Sequence, residues 1–127
     1  MAAAVQEGLM QRLVPIAMLL ASAAIAGVPT PEAGRKLFER TCAPCHGQGP
    51  GDDGAKLLPG TAALDAKYKG DMPAALERRQ DLTPDVIRYF VRNGSGAMPM
   101  FRKTELTDPE IAAIAAYLKK NAVAPAR

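Results

Sequence analysis

Cys42-Ala43-Pro44-Cys45-His46 is the stretch on which the reading of the whole chain turns. It has the form C-x-x-C-H, the signature at which a c-type haem is attached. The two thiols can form thioether bonds to the two vinyl groups of one haem, and their spacing on a helical turn suits that separation. His46, directly after the second cysteine, is then held beneath the iron as the proximal axial ligand. Two other chemistries use the same spacing, a redox dithiol and half of a zinc site. A dithiol of the thioredoxin kind sits near a βαβ pattern, and none is visible in this sequence. A zinc site wants four ligands, whereas Cys42 and Cys45 are the only cysteines and His46 is the only histidine.

The rest of the composition agrees with a haem-centred domain. At 127 residues the chain is one domain at most. Three Phe, three Tyr and no Trp are a thin supply for a small core. Small domains usually need a staple or a metal, and a covalently held haem gives the helices a large apolar body to pack on. The net charge of +3 is mild and its basic residues are dispersed, which excludes a nucleic-acid-binding arm.

Residues 13–26 carry no charge, follow Arg12 and end in the small-x-small triplet Ala24-Ile25-Ala26. A run of about 14 is short for a bilayer span and suits the apolar region of an export signal. Residues 1–26 are therefore expected to be a signal peptide and residues 27–127 the folded domain, placed in the periplasm. Cleavage after Ala23 is an alternative site. An uncleaved anchor is the competing reading, in which case the protein would sit at a membrane; Glu7 weakens the signal pattern.

The expected domain is all-α. Thr30, Pro31 and Glu32 form a helix start, and that helix runs toward the haem motif with Ala33, Leu37 and Phe38 as its apolar contacts. Gly34 in mid-helix costs about 1 kcal/mol against Ala, and a close crossing by another helix would explain it; the alternative is a glycine that is merely tolerated. Residues 47–60 are rich in Gly, Pro and Asp and read as a loop around the proximal side of the haem. They lack the spacing of a phosphate cradle. A ligating histidine usually donates its second ring N–H to an oxygen, and the Pro59 carbonyl is the candidate acceptor, unless Pro59 is only a turn residue. Residues 61–69 are expected to form a short helix capped by Thr61, with Ala62, Leu64 and Tyr68 facing inward.

Thr83, Pro84 and Asp85 start the next helix, in which Val86, Ile87, Phe90 and Val91 make an apolar stripe that Gly94 ends. Thr107 and Glu110 form a capping box for the last helix, and Ile111, Ile114, Ala115 and Leu118 form its stripe. Ala112, Ala113, Ala115 and Ala116 keep that helix slim enough to cross the first one near Gly34. Between these two helices lies Asn93-Gly94-Ser95-Gly96-Ala97-Met98-Pro99-Met100-Phe101. A loop methionine can supply a thioether as the second axial ligand, and no second histidine exists. Met98, fixed by Pro99, is the expected ligand; Met100 is its rival, expected to be a packing residue.

Taken together, these residues resemble a class I monohaem cytochrome c. The resemblance covers roughly residues 31–120: Gly34, Phe38, Cys42, Cys45 and His46 early, then Gly96-Ala97-Met98-Pro99 with Phe101, then the capped final helix with Tyr117. It implies three to five helices around one covalent haem c, with crossed terminal helices and low-spin iron ligated by His46 and Met98. Val91-Arg92-Asn93-Gly94 leading into Met98-Pro99 is also similar to the cytochrome subunit of 4-cresol dehydrogenase and related alkylphenol-oxidising flavoenzymes. The chain departs from those subunits in a longer segment between His46 and Met98.

With both axial positions filled by protein, the expected function is one-electron transfer rather than catalysis. Electrons would come from a redox partner, such as a flavoprotein dehydrogenase in the periplasm. Arg102 and Lys103, directly after the ligand loop, are the nearest candidates for docking it; Arg35, Lys36, Arg78 and Arg79 are more distant ones. A gas-binding or peroxidatic haem protein, in which Met98 does not ligate, is the alternative from another class.

Overall fold

The structure is a computed structural model that describes residues 28–122; the expected signal peptide, residues 1–26, lies outside the described residues. The helices are α1 (Pro31–Thr41), α2 (Ala43–His46), α3 (Pro59–Tyr68), α4 (Pro84–Asn93) and α5 (Asp108–Asn121), with a single 3₁₀ turn at Leu76–Arg78. Among the described residues there is no strand, only an isolated antiparallel bridge between Ser95 and Met98. No described helix is long and apolar enough to cross a membrane.

Three of the helix starts follow from their caps. The hydroxyl of Thr30 accepts from the Ala33 amide at 3.2 Å, and that of Thr83 accepts from Val86 at 3.2 Å. At α5 the capping box closes in both directions: Glu110 N–H donates to the Thr107 hydroxyl, and Thr107 N–H donates to the Glu110 carboxylate. Each cap satisfies amides that the first helical turn leaves without partners, worth about 1 kcal/mol apiece. All three helices also place a proline in their first turn, where its missing N–H has no consequence.

The core forms where α1 meets α5, the most extensive helix contact in the molecule. Phe38, Val91, Leu106, Ile111, Ile114, Tyr117 and Leu118 make one buried cluster. Phe38 and Tyr117 pack as a tilted pair with ring centroids 5.5 Å apart. At the crossing itself, a Cβ built on Gly34 would lie 1.9 Å from the Ala113 carbonyl oxygen and 2.4 Å from its carbon. The two backbones are thus in contact, and no side chain fits between them. This is the packing reason that the mid-helix glycine called for. The four alanines of α5 fit the same demand, with Ala113 and Ala115 buried and Ala112 and Ala116 half-buried.

Three local expectations are corrected. Helix α3 begins at Pro59, with Leu58 as a cap that offers no side-chain oxygen. Thr61 is therefore inside the helix, not its cap; it is buried and its hydroxyl donates to the Gly47 carbonyl at 2.9 Å. Ala62, expected inward, is exposed, while Leu64 and Tyr68 are half-buried. On α4, Val91 enters the core but Phe90 is 39% exposed. Consecutive helical residues point about 100° apart, so the face that turns Val91 toward α5 turns Phe90 away from it.

A methyl at residue 34 would have to push backbone apart rather than a flexible side chain. Gly34→Ala should lower the unfolding free energy by about 3 kcal/mol, the upper end for overpacking. Denaturant titration of the haem-loaded protein, followed by circular dichroism, measures this directly. A change below about 0.5 kcal/mol, the size of an ordinary surface substitution, would contradict so close a crossing.

Candidate functional site: the haem-attachment turn and the methionine loop

The attachment motif sits at the junction of α1 and α2. Cys42 donates its amide to Phe38 at 2.8 Å and so completes α1, while its own carbonyl accepts from His46 at 2.8 Å and starts the short α2. Cys42 thereby follows directly from the helix that crosses α5, and its position is tied to the core. Both cysteines are free thiols; Cys42 is half-buried and Cys45 exposed. Burial, with a smaller contribution from Cys45, pushes the Cys42 thiol up to about 11, so it stays protonated at neutral pH.

His46 lies against the start of α3. A Cβ on Gly60 would stand 2.7 Å from His46 Cε1, 2.8 Å from Nδ1 and 2.8 Å from the Cys45 carbonyl oxygen. Gly60 is thus the residue that lets α3 close on the imidazole, a role the sequence reading missed although Gly60 directly follows the proline it singled out. Thr61 ties the same junction from the other side through its bond to Gly47. His46 Nδ1 is buried and has no hydrogen-bond partner, so the expected bond to the Pro59 carbonyl is not made in this structure. Pro59 is the first residue of α3, and the next residue, Gly60, lies so close to the ring that a side chain there would clash with it. Burial lowers the His46 pKa, which keeps the ring neutral, the form that can ligate a metal.

The methionine loop is held as firmly. Ser95 and Met98 exchange backbone hydrogen bonds at 3.1 and 2.9 Å, and Phe101 donates to Val91 at 2.7 Å. Gly94 ends α4 with φ +68, and a Cβ there would fall 2.6 Å from the Met98 carbonyl oxygen. The turn thus needs glycine for its conformation and again for its closeness. Met98 is half-buried and packs on the same core cluster as Cys42, Ala43, Ile87 and Phe101. Met100, expected to be a packing residue, is instead 62% exposed. Two residues past the bridge the chain has turned outward, and the thioether of Met100 faces away from the core.

These residues fit a covalent haem. There are two free thiols on one turn, an imidazole beside them that burial keeps neutral, and a thioether held on the same apolar cluster as the first thiol. Among the described residues no group of three or more His, Cys, Asp or Glu side chains could hold a metal ion in the manner of a zinc site.

Comparison with known proteins agrees. A family described as Cytochrome C oxidase, cbb3-type, subunit III, matches residues 29–118. Cytochrome c6 of Leptolyngbya boryana is 38% identical over 91 residues, covering 71% of this chain and 91% of that protein. Cytochrome c6 of a Picosynechococcus species is 32% identical over 118 residues, covering 89% and 96%. The solved structure of cytochrome c6 from the diatom Phaeodactylum tricornutum is 31% identical, covers 73% of this chain and 94% of that one, and superposes with a TM-score of 0.44. The chain belongs to the class I cytochrome c family. It carries one covalent haem c and is an electron carrier, not an enzyme.

Mass spectrometry under denaturing conditions should find the polypeptide plus one haem, and Cys42→Ala with Cys45→Ala should remove it. Gly60→Ala, which drives a methyl into the His46 ring, should reduce the haem-loaded fraction well below that of the parent protein. Haem that extracts from the parent into acidified organic solvent would contradict attachment through these thiols.

Proposed function

We propose that the protein transfers electrons through a haem held by Cys42 and Cys45 and ligated by His46 and Met98, and that it accepts those electrons from a periplasmic dehydrogenase. When bound, the haem supplies one-electron exchange between ferric and ferrous iron. The chain's residues do the rest. Cys42 and Cys45 anchor the group, and His46 is kept neutral and in place by Gly60. Met98 is offered from a loop whose backbone is bonded to itself and to α4. The observation that supports this ligand set best is the contrast between the two methionines: Met98 packs on the core cluster shared with Cys42, and Met100 is exposed. Methionine–histidine ligation raises the potential relative to histidine alone, as suits an acceptor of electrons. A loop so pinned also favours a filled second position over the open one of a gas-binding or peroxidatic protein.

Residues 1–26 serve in this reading as the export signal, and export fits a haem that is attached outside the cytoplasm. The likeness of residues 91–101 to the cytochrome subunits of alkylphenol-oxidising flavoenzymes suggests the donor. Such a flavoprotein gains two electrons for each phenol oxidised and must pass them on singly, which a one-electron carrier allows. Arg102 and Lys103 are both exposed just beyond the methionine loop, where they would guide docking. Charges of this kind act mainly on encounter rate and are screened by salt.

The test is substitution of each methionine in the haem-loaded protein. Met98→Ala should lower the reduction potential and open a carbon-monoxide site, while Met100→Ala should do neither. The reverse pattern would move the ligand to Met100. Reduction of the haem by an alkylphenol-oxidising flavoprotein given its phenol supports the proposed donor, and failure to bind or reduce leaves a carrier with a different one.

A further inference from the structure

Arg92 belongs to the last turn of α4, yet its side chain leaves that helix and is only 18% exposed. One terminal nitrogen donates to the Phe101 carbonyl at 2.9 Å. The other donates to Asp108 Oδ1 at 2.6 Å. Asp108 is the first residue of α5, the most buried helix of the fold. One guanidinium therefore joins three pieces of backbone: the end of α4, the exit of the methionine loop and the start of α5. Beside it, Phe101 N–H bonds to the Val91 carbonyl. The neck of the loop is thus closed by two adjacent straps, one of backbone and one of side chain.

Stability alone is a poor reason for this arrangement. The Nε–H of Arg92 is buried without a partner, and burying a cation with an unpaired donor costs free energy that its remaining bonds only partly offset. What the arrangement adds is geometry: two acceptors on different segments are bonded to one guanidinium. The planar fork of arginine matters here, because the two acceptors lie on different elements; lysine, a single point of charge, reaches one or shares itself poorly between them. Lys103 also approaches Asp108, at 3.9 Å, but is 78% exposed and contributes little.

We propose that Arg92 is a positioning residue for the axial methionine. By tying the Phe101 carbonyl to Asp108 it fixes the segment that presents Met98, and so sets how readily the thioether leaves the iron. This rests on Met98 being the ligand. The other side-chain link between the loop exit and α5, the Lys103–Asp108 ion pair, is long and exposed, so Arg92 provides the closer tie.

The experiment uses the haem-loaded protein. Carbon monoxide binds ferrous iron only after the thioether leaves, so its binding rate reports that departure. The weak far-red absorption band of ferric iron bonded to methionine sulfur reports the intact bond. Arg92→Gln should speed carbon-monoxide binding roughly tenfold or more, the scale of one charge-assisted hydrogen bond, and weaken the far-red band. Arg92→Lys should be intermediate, and Arg88→Gln, which removes an exposed cation on the same helix that pairs with Asp85, should match the parent. In a Met98→Ala background, Arg92→Gln should have no further effect, whereas a general loosening of the fold would act in both. If Arg92→Gln does not assemble with haem, Asp108→Asn, which cuts one arm and keeps the shape, is read by the same measures. A parent protein with the band, and a variant that binds carbon monoxide at the parent rate, would overturn the clamp and leave the ligand assignment standing. A parent without the band, unaltered by Met98→Ala, would overturn both. An equal effect of Arg92→Gln with and without Met98 would overturn the clamp alone.

Discussion

The contact of Gly34 with the Ala113 carbonyl governs the rest of the molecule. It brings α1 and α5 together at backbone distance, and the buried side chains then fill the space on either side of the crossing. The attachment turn is the direct continuation of α1, because the Cys42 amide supplies that helix with its last hydrogen bond. The methionine loop is tied to the start of α5 through Arg92 and Asp108. The attachment turn and the methionine loop are thus each fastened to one member of the same helix pair. An error in the crossing would be passed to both.

A second network holds the back of the pair. Glu77, in the 3₁₀ turn, accepts from the Tyr117 hydroxyl and from Gln48 Nε2, the latter at 3.1 Å. Burial pushes the Tyr117 phenol up to about 12, so it remains a donor across the physiological range. Gln48 follows the attachment turn by two residues, so this carboxylate connects the proximal loop to α5. The neighbouring Arg79 is buried, pairs with Asp81 and lies 4.9 Å from the centre of the Tyr68 ring. The segment between α3 and α4 is therefore held by charge and ring contacts together with Leu76 and Leu82, which pack on the core.

What could be read from sequence divides by the range of the interaction involved. The caps at Thr30, Thr83 and Thr107, the prolines in first turns and the α5 stripe act within a few residues, and the structure has them where the pattern places them. Gly34 could be read because a helical glycine has a cost that needs an explanation, and slim α5 supplied the partner. Cys42, Cys45, His46 and Met98 stood out through motif and context. The start of α3 was illegible because Leu58 offers no capping oxygen and the helix has no clear apolar stripe. Gly60, Glu77 and Arg92 were missed for a related reason. Each acts on a residue that only the folded chain brings near, His46, Tyr117 and Asp108 in turn, and no local pattern marks it.

Hydrogen exchange of backbone amides in the haem-loaded protein tests most directly whether the α1–α5 crossing is what the structure depends on. Amides that open only on global unfolding should be confined to residues 36–41 and 111–118, while those of α3 and of residues 70–82 exchange through smaller openings. If amides of α3 or α4 prove the slowest, and those flanking Gly34 and Ala113 exchange well before them, the crossing is not the foundation of the fold.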